Sequence, residues 1–420
     1  MANILNELEA EYKKSGLLNQ QEIPISYRLG FPILDENLGG KYIRKGPDGK
    51  IYTTIRVGIP AGTITQIGGA SSTGKTTAAI QMSWNIVEPF GEEAQVIHID
   101  EENATLYDRV AMVTGAPMES IRAKYRIVKP PNTWESTLEL IQDVCKKKEE
   151  LGAAARYNTH VKDFQGNEIE YFVPTVVSID SVMAITSKSE DVTEISGLTS
   201  AGRETIYRNK FLRNIMKYLG RYNINIILIN HTANDMDLGK PGGGSKQFTF
   251  IETGKKLPGG DKLQAWSTSI IIFKPVNSKD QIKHEESEGY NGLPCRAMVV
   301  KSRSSIGGTI ATQEFSQEYG YDPKLTLMNF AKERGLIAGR NPKCYFTCNP
   351  DVTFDTRIFL KEMEKNPEIM RTLAQECRPE LDKLIPVFDL TEREDDMNPI
   401  SSGKVRREFR DILRDMYSQE

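Results

Sequence analysis

Residues Gly69-Ala70-Ser71-Ser72-Thr73-Gly74-Lys75-Thr76 carry the spacing G-x-x-x-x-G-K-[ST], the strongest constraint in this sequence on what the chain can fold into. The six residues before it, Thr63-Ile64-Thr65-Gln66-Ile67-Gly68, alternate β-branched side chains as a strand does. After it, Thr77 to Val87 holds Ala78, Ala79, Ile80, Met82, Trp84 and Ile86 with no proline or glycine, the pattern of a buried helix. A strand, a glycine-bounded loop and a helix in this order make a phosphate cradle. Glycines let backbone N–H groups curl around phosphate oxygens, and the positive end of the helix faces them. Gly69, Ser71, Ser72, Thr73, Gly74 and Thr77 are then expected to line a bound nucleotide. Lys75 would reach its β- and γ-phosphates, and Thr76 would offer a hydroxyl to Mg²⁺.

The rest of the chain supplies strands to stand beside this one. Val96-Ile97-His98-Ile99-Asp100, Val176-Val177-Ser178-Ile179-Asp180 and Ile224-Asn225-Ile226-Ile227-Leu228-Ile229-Asn230 are short apolar runs ending in polar residues. Helical patterns at 134–148 and 199–219 lie between them. Strands apolar on both faces, alternating with helices, give an α/β fold with a mostly parallel sheet covered on both sides. Segments 266–273, 296–301 and 309–315 follow without helix-length spacers and are expected to extend the sheet antiparallel, closed by a helix at 325–336. Two hairpin insertions are expected near 41–57 and 152–172. An amphipathic helix with Ile4, Leu5, Leu8 and Tyr12 on one stripe occupies residues 1–16, facing either its own core or a neighbouring subunit. The pattern restarts at Gly339, with helices at 356–376 and 403–416. The division that results is 1–29 as helix and linker, 30–338 as the core, and 339–420 as a small C-terminal domain.

Among 420 residues the net charge is −3, so any nucleic-acid contact must come from local basic segments. Five cysteines form no disulfide framework and point to a reducing, cytoplasmic setting. No apolar run is long enough for a transmembrane helix.

Three further positions carry chemistry. Asp180, at a strand end downstream of the cradle, fits the residue that holds the Mg²⁺ shell. Hydrolysis needs a carboxylate near the γ-phosphate, and Asp100, Glu101 and Glu102 are the candidates. Asn230-His231 stands at the same sheet edge and leads into Thr232–Lys262. That long polar loop contains Gly242-Gly243-Gly244-Ser245-Lys246, Phe248, Phe250 and Lys255-Lys256-Leu257-Pro258-Gly259-Gly260. Basic residues interleaved with aromatics suit the backbone and bases of single-stranded nucleic acid.

Taken together these residues resemble the RecA family of strand-exchange recombinases, and within it the phage UvsX-like branch. The resemblance runs from Gly30 to Leu336, about three-quarters of the chain. It rests on Gly30-Phe31-Pro32-Ile33-Leu34-Asp35, Ile59-Pro60-Ala61-Gly62, Ile99-Asp100-Glu101-Glu102, Ile179-Asp180-Ser181-Val182, Leu257-Pro258-Gly259-Gly260-Asp261-Lys262-Leu263 and Val299-Val300-Lys301-Ser302-Arg303. The family's roles, carried over, make Glu102 the residue that activates water and His231 the γ-phosphate sensor, within an Asn-His-Thr motif shared with T-even-type phages. Tyr107 would stack on adenine, while Lys301 and Arg303 would reach the ATP of the next subunit. Arg208, Arg213, Gly242, Gly243, Lys246, Lys255, Lys256, Gly259 and Gly260 would contact DNA. The resemblance implies a RecA-like ATPase using ATP and Mg²⁺. Its partners would be single-stranded DNA, homologous duplex DNA and further copies of itself in a helical filament, with single-strand-binding and mediator proteins as additional candidates and no membrane. A hexameric helicase built on the same core and a non-catalytic, nucleotide-switched mediator are the alternative readings.

Overall fold

The computed structural model describes residues 25–45, 49–162, 168–188, 200–234, 250–251, 255–276, 292–316 and 318–389. The expected helices at 1–16 and 403–416, and the loop residues Gly242, Gly243, Lys246 and Phe248, lie outside the described residues.

The chain enters through β1 (Ser26–Tyr27) and α1 (Pro32–Leu38), makes a hairpin of β2 (Gly40–Lys45) and β3 (Ile51–Arg56), and continues into β4 (Ile59–Pro60) and β5 (Ile64–Gly69). Then come α2 (Lys75–Val87), β6 (Gln95–Asp100), α3 (Tyr107–Thr114), α4 (Met118–Lys124), β7 (Tyr125–Val128) and α5 (Trp134–Leu151). The second expected hairpin is β8 (Arg156–Lys162) with β9 (Glu168–Phe172), ahead of β10 (Thr175–Asp180), α6 (Ser200–Tyr222) and β11 (Ile224–Ile229). A two-residue ladder of β12 (Ala233–Asn234) and β13 (Lys255–Lys256) precedes α7 (Gly260–Trp266). Strands β14 (Ser269–Pro275), β15 (Gly292–Ser302), β16 (Ile310–Ser316) and β17 (Gly320–Asp322) lead to α8 (Pro323–Glu333). The last described stretch holds β18 (Ile337–Arg340), β19 (Lys343–Phe346), β20 (Asn349–Phe354), α9 (Phe359–Lys365), α10 (Pro367–Asp382) and β21 (Val387–Asp389).

Nine strands form the central sheet in the order β17-β16-β15-β14-β5-β11-β10-β6-β7. Neighbours from β14 to β7 run parallel. Strands β15, β16 and β17 extend the sheet antiparallel. Every position of β5, β10 and β11 is buried, because a parallel sheet with helices on both faces leaves no solvated side. Alternation along one strand divides the core in two. Ile227 and Ile229 pack with Trp84 and Phe273 on the α2 face, whereas Ile226 and Leu228 pack with Trp134 and Phe211 on the other.

Three expectations need correction. Strand β6 was placed beside the cradle strand; instead β11 and β14 flank β5, and β10 separates β11 from β6. The chain skips positions after β5, and that reversal of strand order opens the crevice in which doubly wound sheets bind ligands. Residue 266 closes the helix α7 rather than opening a strand, since Trp266 packs against the α5–α6 cluster. The helix expected over 356–376 is broken at Asn366, whose side chain accepts from Glu368 N while Pro367 takes the first helical position. Residues 339–389 pack onto the same core as the cradle strand and its helix. Phe346, Phe354, Phe359, Leu373 and Cys377 belong to the cluster that contains Ile67 and Ala78, and β21 pairs in parallel with β2.

The lead-in to the core turns on one acid. The buried Asp35 carboxylate accepts from the amides of Leu29 (2.7 Å), Gly30 (3.1 Å) and Phe31 (3.2 Å). Asn85 of α2 holds the same turn by donating to Leu29 O. Removing that acceptor strands buried N–H groups. Asp35→Ala is therefore expected to lower unfolding stability by about 3 kcal/mol, read from the urea midpoint at constant m-value.

Candidate active site

At the carboxyl end of β5 the loop closes on itself before α2 begins. Gly74 adopts φ 75°, and a Cβ there would lie 2.8 Å from the Tyr321 hydroxyl and 2.9 Å from the Phe315 ring, so only glycine fits. Lys75 is buried, and its Nζ donates to Ala70 O at 2.6 Å across the loop. Burial pulls the Lys75 ammonium below its usual pKa, opposed by the nearby carboxylates of Asp180 and Glu102. A desolvated cation at the mouth of a helix N-terminus is matched to phosphate oxygens.

The Thr76 hydroxyl donates to Asp180 Oδ2 at 2.6 Å, bringing the two expected Mg²⁺ residues together. Burial pushes the Asp180 carboxyl up to about 6; Glu102 and Asp100 add to the rise, while Thr76 and Lys75 oppose it. A hydroxyl and a carboxylate oxygen on adjacent elements are the hard donors Mg²⁺ takes when phosphates and water complete its shell. The residues fit the ion. Among the described residues no cluster of three or more His, Cys, Asp or Glu offers a site made from protein alone.

Geometry separates the three candidate acids. Asp100 is engaged by Lys129 Nζ at 2.7 Å and by the amides of Thr105 and Ala104. Its burial would raise the carboxyl pKa, but these hydrogen bonds outweigh that and hold it below the usual range. Glu101 accepts from Asn132 Nδ2. Glu102 instead faces His231, with Oε1 3.5 Å from Nε2 and both side chains about two-fifths exposed. Of the three acids, Glu102 alone stands beside the end of β11.

From there a chain of hydrogen bonds leaves the cradle. Thr232 N donates to Gly69 O at 3.0 Å, and His231 N to the side chain of Asn230 at 2.9 Å. The buried Asn230 donates through Nδ2 to Pro258 O at 2.7 Å. Gln264 of α7 donates to Leu257 O and, at longer range, to Pro258 O. The ladder Ala233↔Lys256 and Asn234↔Lys255 fixes both ends of the basic loop to this point. Gly259 and Gly260, at φ 109° and 77°, form the turn into α7.

Several expected residues stand elsewhere. Arg213 is exposed on α6, but Arg208 is buried, its guanidinium on Thr205 Oγ1. Tyr107 already has partners: its hydroxyl accepts from Ile127 N, and the Arg122 guanidinium lies 5.1 Å from its ring centre. Two residues on, Arg109 turns the other way, donating to Thr77 Oγ1 (3.2 Å) in the first turn of α2 and to Glu318 O (2.8 Å). Arg109 and Tyr321, which stand against the cradle, were not among the expected residues, because the partners that bring them there are distant in sequence.

Lys301 and Arg303 lie at the opposite end of the sheet. Lys301 pairs with Ile270 at the start of β14, Arg303 N donates to Thr268 O, and Thr268 N donates to Ile64 O. Both side chains bond carbonyls that end α7: Lys301 to Gln264 O and Ala265 O, Arg303 to Ala265 O. Along the direction of β5, Lys301 lies level with Gln66 and Arg303 with Ile64, about 10 Å and about 17 Å from their own Gly69 at strand rise.

A phosphate cradle at the switch point of a parallel sheet, with the Thr76–Asp180 pair and Glu102 beside His231 at its mouth, defines a P-loop ATPase fold with a RecA-like core. A family model described as "ATPase: KaiC" matches residues 49–196. Protein RecA of Crocosphaera subtropica is 23% identical over 384 residues, covering 90% of this chain and 90% of that protein. Protein RecA of Picosynechococcus sp. is 22% identical over 383 residues (90% and 91%), and that of Thermus aquaticus 23% over 340 residues (80% and 81%). The chain is thus similar to RecA proteins through nearly all its length, at low identity.

Two outcomes test the site. Glu102→Gln should keep Mg²⁺-ATP bound while kcat falls at least ~100-fold, whereas Glu101→Gln should change kcat less than about threefold, both by steady-state phosphate release. The second concerns pH. The Asp180 carboxyl is raised from 3.8 to about 6, so the nucleotide-free fold loses stability as pH rises through that window. Cation binding needs the ionised form and gains over the same window. Mg²⁺-ADP affinity, measured by calorimetry, should tighten from pH 5 to 7 and then level. Asp180→Asn should bind more weakly and show less of this slope, the nucleotide's own titration being common to both proteins.

Proposed function

We propose that this chain is a DNA-dependent ATPase of recombination and repair, of the UvsX-like kind, that assembles as a helical filament on single-stranded DNA and catalyses homologous pairing and strand exchange. The observation that carries this reading is the position of Lys301 and Arg303. Two basic residues of the type that stabilise phosphoryl-transfer charge stand toward the far end of the sheet from the cradle of their own chain, with their side chains on the last carbonyls of α7. A second copy stacked with its β14–β15 edge over the cradle would complete the site, and repetition of that contact generates a filament.

In such a filament Lys75 and the loop amides bind the phosphates, and Glu102 orients and deprotonates the attacking water. Thr76 and Asp180 would hold Mg²⁺, which would supply charge neutralisation at the phosphates. His231, beside Glu102, meets the γ-phosphate, and Asn230 passes its position to Pro258 and the basic loop. Lys255, Lys256, Gly259 and Gly260 at the loop base, with Arg213 on α6, contact the strand backbone. Adenine lies near α3, where Tyr107 and the structurally closer Arg109 stand. ATP and DNA then strengthen each other's binding by the same factor. Homologous duplex DNA is the second substrate, and single-strand-binding and mediator proteins are further partners.

Electron microscopy with single-stranded DNA and a non-hydrolysable ATP analogue tests the assembly: helical filaments are expected, whereas closed rings or monomers overturn it. A mixing experiment tests the shared site. Lys75→Ala and Lys301→Ala should each lose DNA-stimulated hydrolysis, and an equimolar mixture should regain part of it, because some interfaces then pair an intact cradle with an intact Lys301. A mixture no more active than its components refutes the shared site.

A further inference from the structure

The cradle is braced from behind by a strand at the far edge of the sheet. Tyr321, on β17 at the far edge of the sheet, is buried, and its hydroxyl donates to Thr73 O at 3.2 Å. Cys295 Sγ lies 3.6 Å from that hydroxyl, and its thiol donates to Lys274 O at 3.2 Å. The backbone of Tyr321 is clamped in turn: its N–H donates to Gln81 Oε1, and Gln81 Nε2 donates to Tyr321 O and to Val113 O. Phe31, Phe273 and Phe315 pack around the ring with centroids 4.8–5.5 Å away. The hydroxyl is therefore delivered to Thr73 O by a rigid support.

Thr73 O and Gly74 N–H belong to one planar peptide and point in opposite directions. Holding the carbonyl backward against Tyr321 aims the Gly74 amide forward, into the concave side of the loop. Gly74 sits at a left-handed φ of 75°, where a Cβ would lie 2.8 Å from the Tyr321 hydroxyl and 2.9 Å from the Phe315 ring, so the loop packs closely on its brace at this peptide. Other loop groups have internal partners: Thr73 Oγ1 and Lys75 Nζ both donate to Ala70 O. The Thr73 carbonyl is set from outside the loop.

We infer that Tyr321 is a positioning residue for nucleotide binding, whose hydroxyl orients the Gly74 amide toward a phosphate oxygen. The inference rests on the cradle's binding a nucleotide. It adds that β17, five strands removed from β11 across the sheet, sets the affinity of the cradle for it.

Tyr321→Phe keeps the ring and deletes the hydroxyl. The full-length variant should show KM for ATP and Kd for ADP raised about tenfold, with kcat at saturating ATP within twofold of the parent. In ³¹P NMR of bound ADP, the β-phosphorus resonance should move while the α-phosphorus stays in place. Unchanged affinity with an unchanged β-phosphorus resonance overturns the inference. So does a lowered melting temperature with unchanged affinity, which would assign the hydroxyl to core stability alone. Should the parent protein itself bind no ADP, the nucleotide reading fails before this one is reached.

Discussion

The seating of β5 between β11 and β14 is the constraint from which the functional geometry follows. Because β5 is flanked by strands that come much later in the chain, the loop leaving its carboxyl end opens into a crevice instead of a crossover. Into that crevice β10 delivers Asp180 and β11 delivers His231. Strand β14 carries its partner β15 away toward the opposite edge. One strand order thus explains both what converges on the cradle and what is kept from it.

The same order makes the site a relay. A hydrogen bond from Thr232 N to Gly69 O ties the cradle directly to the segment after β11, and Asn230 ties that segment to Pro258. Asn230 is fully buried, so both of its bonds are made in a low dielectric where a lost partner is costly. A displacement at the end of β11 and a displacement at Pro258 are therefore hard to separate energetically.

Much of this was legible in the sequence. The cradle spacing, the runs at 175–180 and 224–229 and the two hairpins announce themselves through local pattern, since each is a contiguous stretch whose period or turn chemistry is intrinsic. That Asp180 would stand beside the cradle was legible from its place at the end of an apolar strand downstream of the loop. What was not legible depends on packing between distant segments. Nothing around Asp100 or Glu101 reveals that Lys129 and Asn132 occupy them, so pattern alone left three adjacent acids open and only the resemblance pointed to Glu102. Arg208 looks like any helix-borne cation until the turn of α6 that buries it is seen. The order of strands around β5 is likewise invisible to periodicity, which reports the faces of a strand and not its neighbours.

One pairing also bears on how the chain reaches this state. Strand β2, near the start of the described chain, is hydrogen-bonded to β21, at its end, and α10 contributes Leu373 and Cys377 to the cluster that holds α2. Contacts this remote in sequence raise the contact order and slow the closure of a core. During synthesis the cradle strand and its helix leave the ribosome long before the segments that cover them. The ATP site therefore reaches its final form only when almost the entire chain has been made, and a C-terminal truncation is felt at the opposite end of the molecule.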